Sequence, residues 1–128
     1  MKRLHTDSLK IGTYINDRLQ NYLPCFPIIA EKGANYPFCV YRRTALSGNT
    51  SKDGYTYEET ISVEIVVCAT TYSESIKYAH EIKTQLEQQR GRFENINITN
   101  IYLTNANEDW SGDAYIQRLY FNIDIDNN

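Results

Sequence analysis

The chain has only 3 cysteines, Cys25, Cys39 and Cys68, and no two of them stand in a C-x-x-C spacing. That excludes a disulfide-dense secreted scaffold and the common zinc motifs, and an odd count fits a reduced, intracellular set of thiols. With 2 histidines, His5 and His80, the chain is poor in the commonest general base. Position 84 is threonine, so His80-Glu81 does not open an H-E-x-x-H metal site. The 6 glycines are scattered singly, which leaves no phosphate-cradling loop, and no serine lies within G-x-S-x-G. Basic residues number 13 against 16 acids, for a formal net charge of −3. Generic nucleic-acid binding needs clustered cations to displace counterions, so neither that nor sequence-specific reading of nucleic acid is expected. No apolar stretch nears the roughly 20 residues of a bilayer span. The opening MKRLHTDSLKIG lacks the apolar region of a signal peptide. A membrane is therefore not an expected partner, and the N-x-[ST] matches at Asn49 and Asn97 are not expected to carry a glycan.

What is present is one domain's worth of alternating and helical apolar pattern in 128 residues, with no repeat, linker or low-complexity tract. Ile11, Ile15, Leu19 and Tyr22 recur at helical spacing and predict a helix over roughly 6–22, capped by Thr6 or Asp7 and stopped by Pro24 and Pro27. Pro27–Glu31 reads as a short strand and Phe38–Leu46 as a longer one. Ser47–Gly54, ending in Asp-Gly, reads as a hairpin loop. From Tyr55 to Thr71, Ile61, Val63, Ile65, Val67 and Ala69 alternate on one face. Val66 and Cys68 close the other, so this strand is expected to be covered on both faces at its end. Thr71 and Glu74 have capping-box spacing at the head of a second helix. Its apolar stripe is Ile76, Ala79, Ile82 and Leu86, and Gly91 is placed to end it. Two strands follow, about Ile96–Asn105 and Ala114–Ile125. The expected fold is α+β, in the order α-β-β-β-α-β-β. It is a two-layer sandwich whose mainly antiparallel sheet of four to five strands is covered on one face by both helices.

The search for chemistry is mostly negative. Glu58 and Glu59 are adjacent in a strand and point to opposite faces. Asp109 and Asp113 are better read as turn residues than as an acid–base pair or an ion site. No catalytic residue, metal ligand or cofactor is assigned. An enzyme built on Asp109, Asp113 and His80 is the remote alternative. Aromatic side chains are more informative. There are 11 tyrosines, and Tyr36, Tyr41, Tyr55, Tyr57, Tyr72, Tyr115 and Tyr120 fall on predicted polar faces or loop edges. Tyr, Trp and Arg are the residues of protein interfaces. The candidate contact set is Arg42, Arg43, Lys52, Asp53, Tyr55, Tyr57, Trp110 and Tyr115. Trp110 has two readings, an anchor of its loop on the core or a subunit contact, and the former is favoured.

Several segments together, PFCVYRRTAL, SKDGYTYEETISVEIVVCATTYSESIKYAHEIKTQLE and DAYIQRLYFNIDI, give the chain a layout that resembles the tail-completion, or tail-terminator, proteins of long-tailed phages and prophages. The resemblance spans nearly the whole chain and rests on segment character. It implies a non-enzymatic virion component of the phage tail, assembled in the bacterial host cytoplasm. Copies of the chain would form a ring, typically a hexamer, that caps the tail tube and joins it to the head. Its partners would be itself, the tail-tube protein and the head–tail connector. Thr44–Gly54 would be the loop that reaches a neighbour. A head–tail adaptor or other protein-binding module of a prophage is the alternative. A globule this size has a radius of gyration of roughly 14 Å. Six such globules in a ring enclose a hole wide enough for duplex DNA, and an acidic wall would let DNA slide.

Overall fold

The computed structural model describes residues 8–50 and 56–126. A single 3-10 turn, Ser8–Lys10, leads into helix α1, Ile11–Leu19. Three strands follow: β1, Cys25–Pro27; β2, Phe38–Thr50; and β3, Thr56–Ala69. Helix α2, Tyr72–Leu86, precedes β4, Gly91–Phe93, β5, Ile96–Ser111, and β6, Ala114–Asp126. The strands form one sheet in the order β1-β2-β3-β6-β5-β4.

Hydrophobic alternation dictates the centre of this sheet. Ile61, Val63, Ile65 and Val67 of β3 lie in register with Ile123, Phe121, Leu119 and Gln117 of β6. Each of the apolar members is buried. Ile11, Ile15 and Leu19 of α1 and Ala79, Ile82 and Leu86 of α2 join them in one core. Gly12 brings α1 close to the sheet: a Cβ there would stand 3.0 Å from the Tyr41 ring. Thr71 caps α2 as expected, its hydroxyl accepting from the Glu74 N–H at 3.2 Å.

The sandwich expectation is overturned. The chain is α+β, but the sheet has six strands, is mixed rather than antiparallel throughout, and curls into a half-barrel. Short edge strands account for the count. β1 and β4 are three residues each, too short to show a period, and β1 runs parallel to β2. Bulges accompany the curl. Register slips between Arg43 and Ala45, Asn49 and Thr50, Ile98 and Asn100, and Leu103 and Asn105. An extra residue on one strand bends it and increases its twist.

Five local expectations also change. The predicted strand Pro27–Glu31 is instead β1, which stops at Pro27. The Ile29 N–H then donates back to the Pro27 carbonyl at 2.7 Å around an Ile28 with φ of +69°. Gly91 does not end α2; Gln88 takes the left-handed position, with φ of +63°, and Gly91 starts β4. Ile76 lies off the buried stripe and is exposed, while Ser75 is buried in its place. Tyr22, assigned to the first helix's apolar face, is past the end of α1 and exposed. Ser47–Thr50 of the expected loop Ser47–Gly54 instead continue β2 in pairing with β3, while the loop residues 51–54 and the proposed caps Thr6 and Asp7 lie outside the described residues.

β5 is longer than its pattern suggests. It pairs with β6 as far as Ser111↔Ala114, so Gly112 and Asp113 alone make the turn. Gly112 has φ of +65°, the glycine-first pattern of a two-residue hairpin. Beyond Asn105 every residue of β5 is exposed. β4 pairs only with Ile96–Ile98, leaving the outer edge of β5 without a strand partner from Tyr102 onward among the described residues. Counting back from the turn, the N–H groups of Trp110 and Ala106 point away from β6. They are met by the side chains just before them, Asp109 Oδ1 at 2.8 Å and Asn105 Oδ1 at 2.9 Å.

Candidate assembly surface

The α2-side end of the β5–β6 hairpin carries the first cluster. Trp110 and Tyr115 are register partners across the hairpin. Tyr115 is half-buried and packs edge-on against Tyr72 of α2, ring centres 5.9 Å apart. Trp110 stays 58% exposed, so it does not anchor the hairpin on the core. Beneath these rings a polar network ties helix to hairpin. The Tyr72 hydroxyl donates to Glu108 at 2.9 Å, and buried Gln117 donates to Glu108 at 3.1 Å and to Ser75 at 3.3 Å. The bond to Glu108 raises the Tyr72 pKa. At the turn, the Tyr36 hydroxyl donates to Asp113 at 3.0 Å, and Tyr36 stacks on Phe38 with ring centres 5.3 Å apart.

The helix-free face of the sheet carries the second cluster. Arg42 of β2 pairs with Glu64 of β3 at 2.6 Å, and the Tyr120 hydroxyl of β6 donates to the other Glu64 oxygen at 2.8 Å. Burial is the largest influence on Glu64 and pushes its pKa up. The hydrogen bonds from Arg42 and Tyr120, with the charges of Arg42 and Arg118, outweigh it and hold the carboxyl below the usual range.

The third feature is a groove of about 210 Å³ at the β1–β2 edge. Leu9, Gly12 and Ile15 from the α1 region, Pro27 and Ile28 at the end of β1, and Tyr41 and Val63 of the sheet line it. Arg43 crosses its rim and donates to the Leu9 carbonyl at 3.0 Å. Leu9, Ile28 and Ile29 around it are 66%, 68% and 75% exposed.

The predicted contact residues are thus divided. Trp110 and Tyr115 lie together at the hairpin end, and Arg42 and Arg43 lie on β2, three strands from β5 in the sheet order. Lys52, Asp53 and Tyr55 lie outside the described residues, as does the Tyr57 side chain. Tyr41, counted among polar-face tyrosines, is buried over the core. Glu108, weighed with Asp109 and Asp113 only as an oxygen ligand for an ion, instead accepts from Tyr72 and Gln117, and Leu9, Ile28, Ile29, Glu64 and Gln117 are not among the predicted contact residues. The run Pro27-Ile28-Ile29 held the only usable hint, two isoleucines beside a strand-breaking residue. The residues of the remote enzyme reading are not assembled: Asp109 pairs with Arg118 at 3.7 Å, Asp113 holds Tyr36, and His80 is exposed on α2. Eight residues of helix, about 12 Å, separate His80 from Tyr72 at the hairpin end. Among the described residues no group of three or more His, Cys, Asp or Glu is placed to hold a metal, and no helix is long and apolar enough to cross a membrane.

The long β5–β6 hairpin thus leaves the outer edge of β5 unpaired from Tyr102 onward among the described residues, with the Trp110 ring in water. The same fold occurs in a virion. A chain in the solved structure of the virion of a native gene transfer agent particle superposes with a TM-score of 0.69 at 9% identity, over 92% of this chain and 88% of that one. At that identity the likeness establishes a shared fold. No family model matches the chain, and no curated protein matches it.

Proposed function

We propose that the protein is a structural virion component of a phage or prophage. In this reading copies of it form a ring, typically a hexamer, on the end of the tail tube, completing the tail and providing the surface that joins it to the head. The observation that carries the reading is the fold shared, over nearly the full length of both chains, with a chain of a gene transfer agent virion. The long β2–β3 and β5–β6 hairpins and the exposed aromatic side chains are consistent with heterologous contacts that close by rotation. The net charge of −3 suits a passage for DNA that must not adhere to its wall. The protein partners are other copies of the chain, the tail-tube protein and the head–tail connector.

Co-sedimentation with purified tail tubes, followed by electron microscopy, tests this. Rings at tube ends are expected. Binding to head portals with none to tubes would instead favour the head–tail adaptor, and binding to neither would sink the assignment.

A further inference from the structure

The chain presents two apolar features that cannot satisfy each other within one molecule. The groove beside α1 lies at the β1–β2 edge, and Trp110 lies on β5, four places along in the sheet order. At roughly 4.8 Å per strand that is about 19 Å from β1 and about 14 Å from β2 along the sheet. We infer that the groove formed by α1, β1 and β2 receives Trp110 from the hairpin end of a second copy of this chain, in a head-to-tail contact. The inference rests on the ring-forming reading above and names the surfaces that would make the ring.

Three observations point to this occupant. The first is size and chemistry. Apolar cavities of about 150 Å³ accept a benzene ring. A groove of about 210 Å³ lined by Leu9, Ile15, Pro27, Ile28 and Val63 therefore has room for an indole. The second is charge. Arg43 lines the groove and Lys10 stands in sequence between the lining residues Leu9 and Ile11, while Arg42, also on the lining, is engaged by Glu64. Glu108, Asp109 and Asp113 flank Trp110 along the hairpin, and Arg118, which pairs with Asp109 at 3.7 Å, is the one cation that meets them in an ion pair among the described residues. The acidic hairpin end and the basic groove rim are thus complementary, which steers encounter and sets orientation. The third is how the groove's edge is held. Ile28 is β-branched at φ of +69°, inside a γ-turn closed by the Ile29 N–H and the Pro27 carbonyl. That conformation is strained for such a residue. It holds one isoleucine at the groove and leaves the next in water, a costly arrangement for an isolated monomer.

Strand addition along β5 is a weaker alternative, because Asn105 and Asp109 already occupy the Ala106 and Trp110 N–H groups on its outer edge. A bulky side chain entering a pocket needs none of those groups. An exposed tryptophan ringed by polar residues and facing a complementary pocket is the usual form of an interface hot spot.

Trp110 is the only tryptophan, so its emission reports the contact directly. The experiment dilutes the full chain from millimolar to nanomolar, following emission wavelength alongside native mass spectrometry. Emission is expected to move to shorter wavelength as oligomers form. Arg43→Glu and Ile28→Gly should each shift the half-maximal concentration upward by about thirtyfold or more, the mark of a hot-spot position. Ile28→Gly should remain folded by circular dichroism, since relief of the strained φ offsets the freedom glycine gives the unfolded chain. Ile28→Gly retains the tryptophan but lacks the groove edge, and Trp110→Ala retains the groove. Mixing these two variants should restore the blue shift at a 1:1 ratio and stop at dimers. Oligomers whose Trp110 emission stays that of an exposed indole would overturn the docking while leaving the ring reading intact. A strict monomer across the range would also overturn it, as would a mixture of variants that shows no shift. A blue shift with the expected variant effects, in a chain that ignores tail tubes, would uphold the docking and count against the tail reading.

Discussion

Trp110 and Tyr115 face each other across the β5–β6 hairpin, yet the helix covers only one of them. Tyr72, the first residue of α2, packs against Tyr115 and leaves Trp110 to the solvent. The two rings therefore answer to different demands. Truncation of Trp110 should leave the monomer's stability within about 0.5 kcal/mol of wild type, whereas Phe121→Ala, fully buried at the centre of the sheet, should cost about 3–5 kcal/mol. Urea melts of both variants at monomer concentrations check this.

The network under those rings is a second target. Tyr72→Phe removes the hydroxyl that Glu108 accepts from, but Gln117 still donates to the same carboxylate. A small loss is expected, because the Tyr72 ring is half exposed and water can replace the bond. Gln117→Leu should cost more, because Ser75 and Glu108 both lose a partner and one of them is buried. Chemical denaturation of the two variants should rank them in that order.

Glu64 predicts the acid behaviour. Its folded-state carboxyl lies below the ordinary value of 4.5, so the native state favours the ionised form. The associated stability is fully present above that value and is lost as pH falls through the lower, folded one. Glu64→Gln should be less stable at neutral pH, leaving Arg42 without its charge partner, and should lose less stability between pH 5 and acid. Melting temperature against pH for the two proteins gives the comparison.

The thiols should differ in reactivity. The Cys39 Sγ donates to the Cys25 Sγ at 3.0 Å, and that hydrogen bond lowers the Cys25 pKa, while it and burial raise that of Cys39. Burial also raises Cys68. Alkylation of the native protein, read by peptide mass spectrometry, should mark Cys25 first.

At the hairpin turn, Gly112→Ala places a Cβ at φ of +65°. A cost of about 1–2 kcal/mol is expected, along with reduced hydrogen-exchange protection of the Ser111 and Ala114 amides, the pair that closes the turn.

The regular centre of the molecule was legible because its residues alternate or recur with a clear period. Ile61 to Val67, Leu119 to Ile125, and Ala79, Ile82 and Leu86 all reach the core as their spacing demands. Elsewhere the pattern was silent for identifiable reasons. Ala106–Ser111 buries neither face, so it carries no apolar alternation and falls outside the expected strand, although pairing with β6 makes it part of β5. β1 and β4, at three residues each, are too short to display an alternation, and four slips in register add a curl that no local propensity records. Ile76 matched a helical stripe by spacing, but the true buried face is turned by one residue onto Ser75. The Arg42–Glu64–Tyr120 group joins three strands, and only the sheet order brings it together.

The two side chains folded back along β5, Asn105 and Asp109, bear on the protein's fate before it assembles. A bare sheet edge is a template for fibre growth. By occupying outward amides of its most exposed strand, the chain reduces the chance that waiting subunits stack into amyloid-like ribbons. Asn105→Val combined with Asp109→Val would strip that cover, and the double variant should accumulate thioflavin-positive aggregates faster than the parent even where its native fold is equally stable.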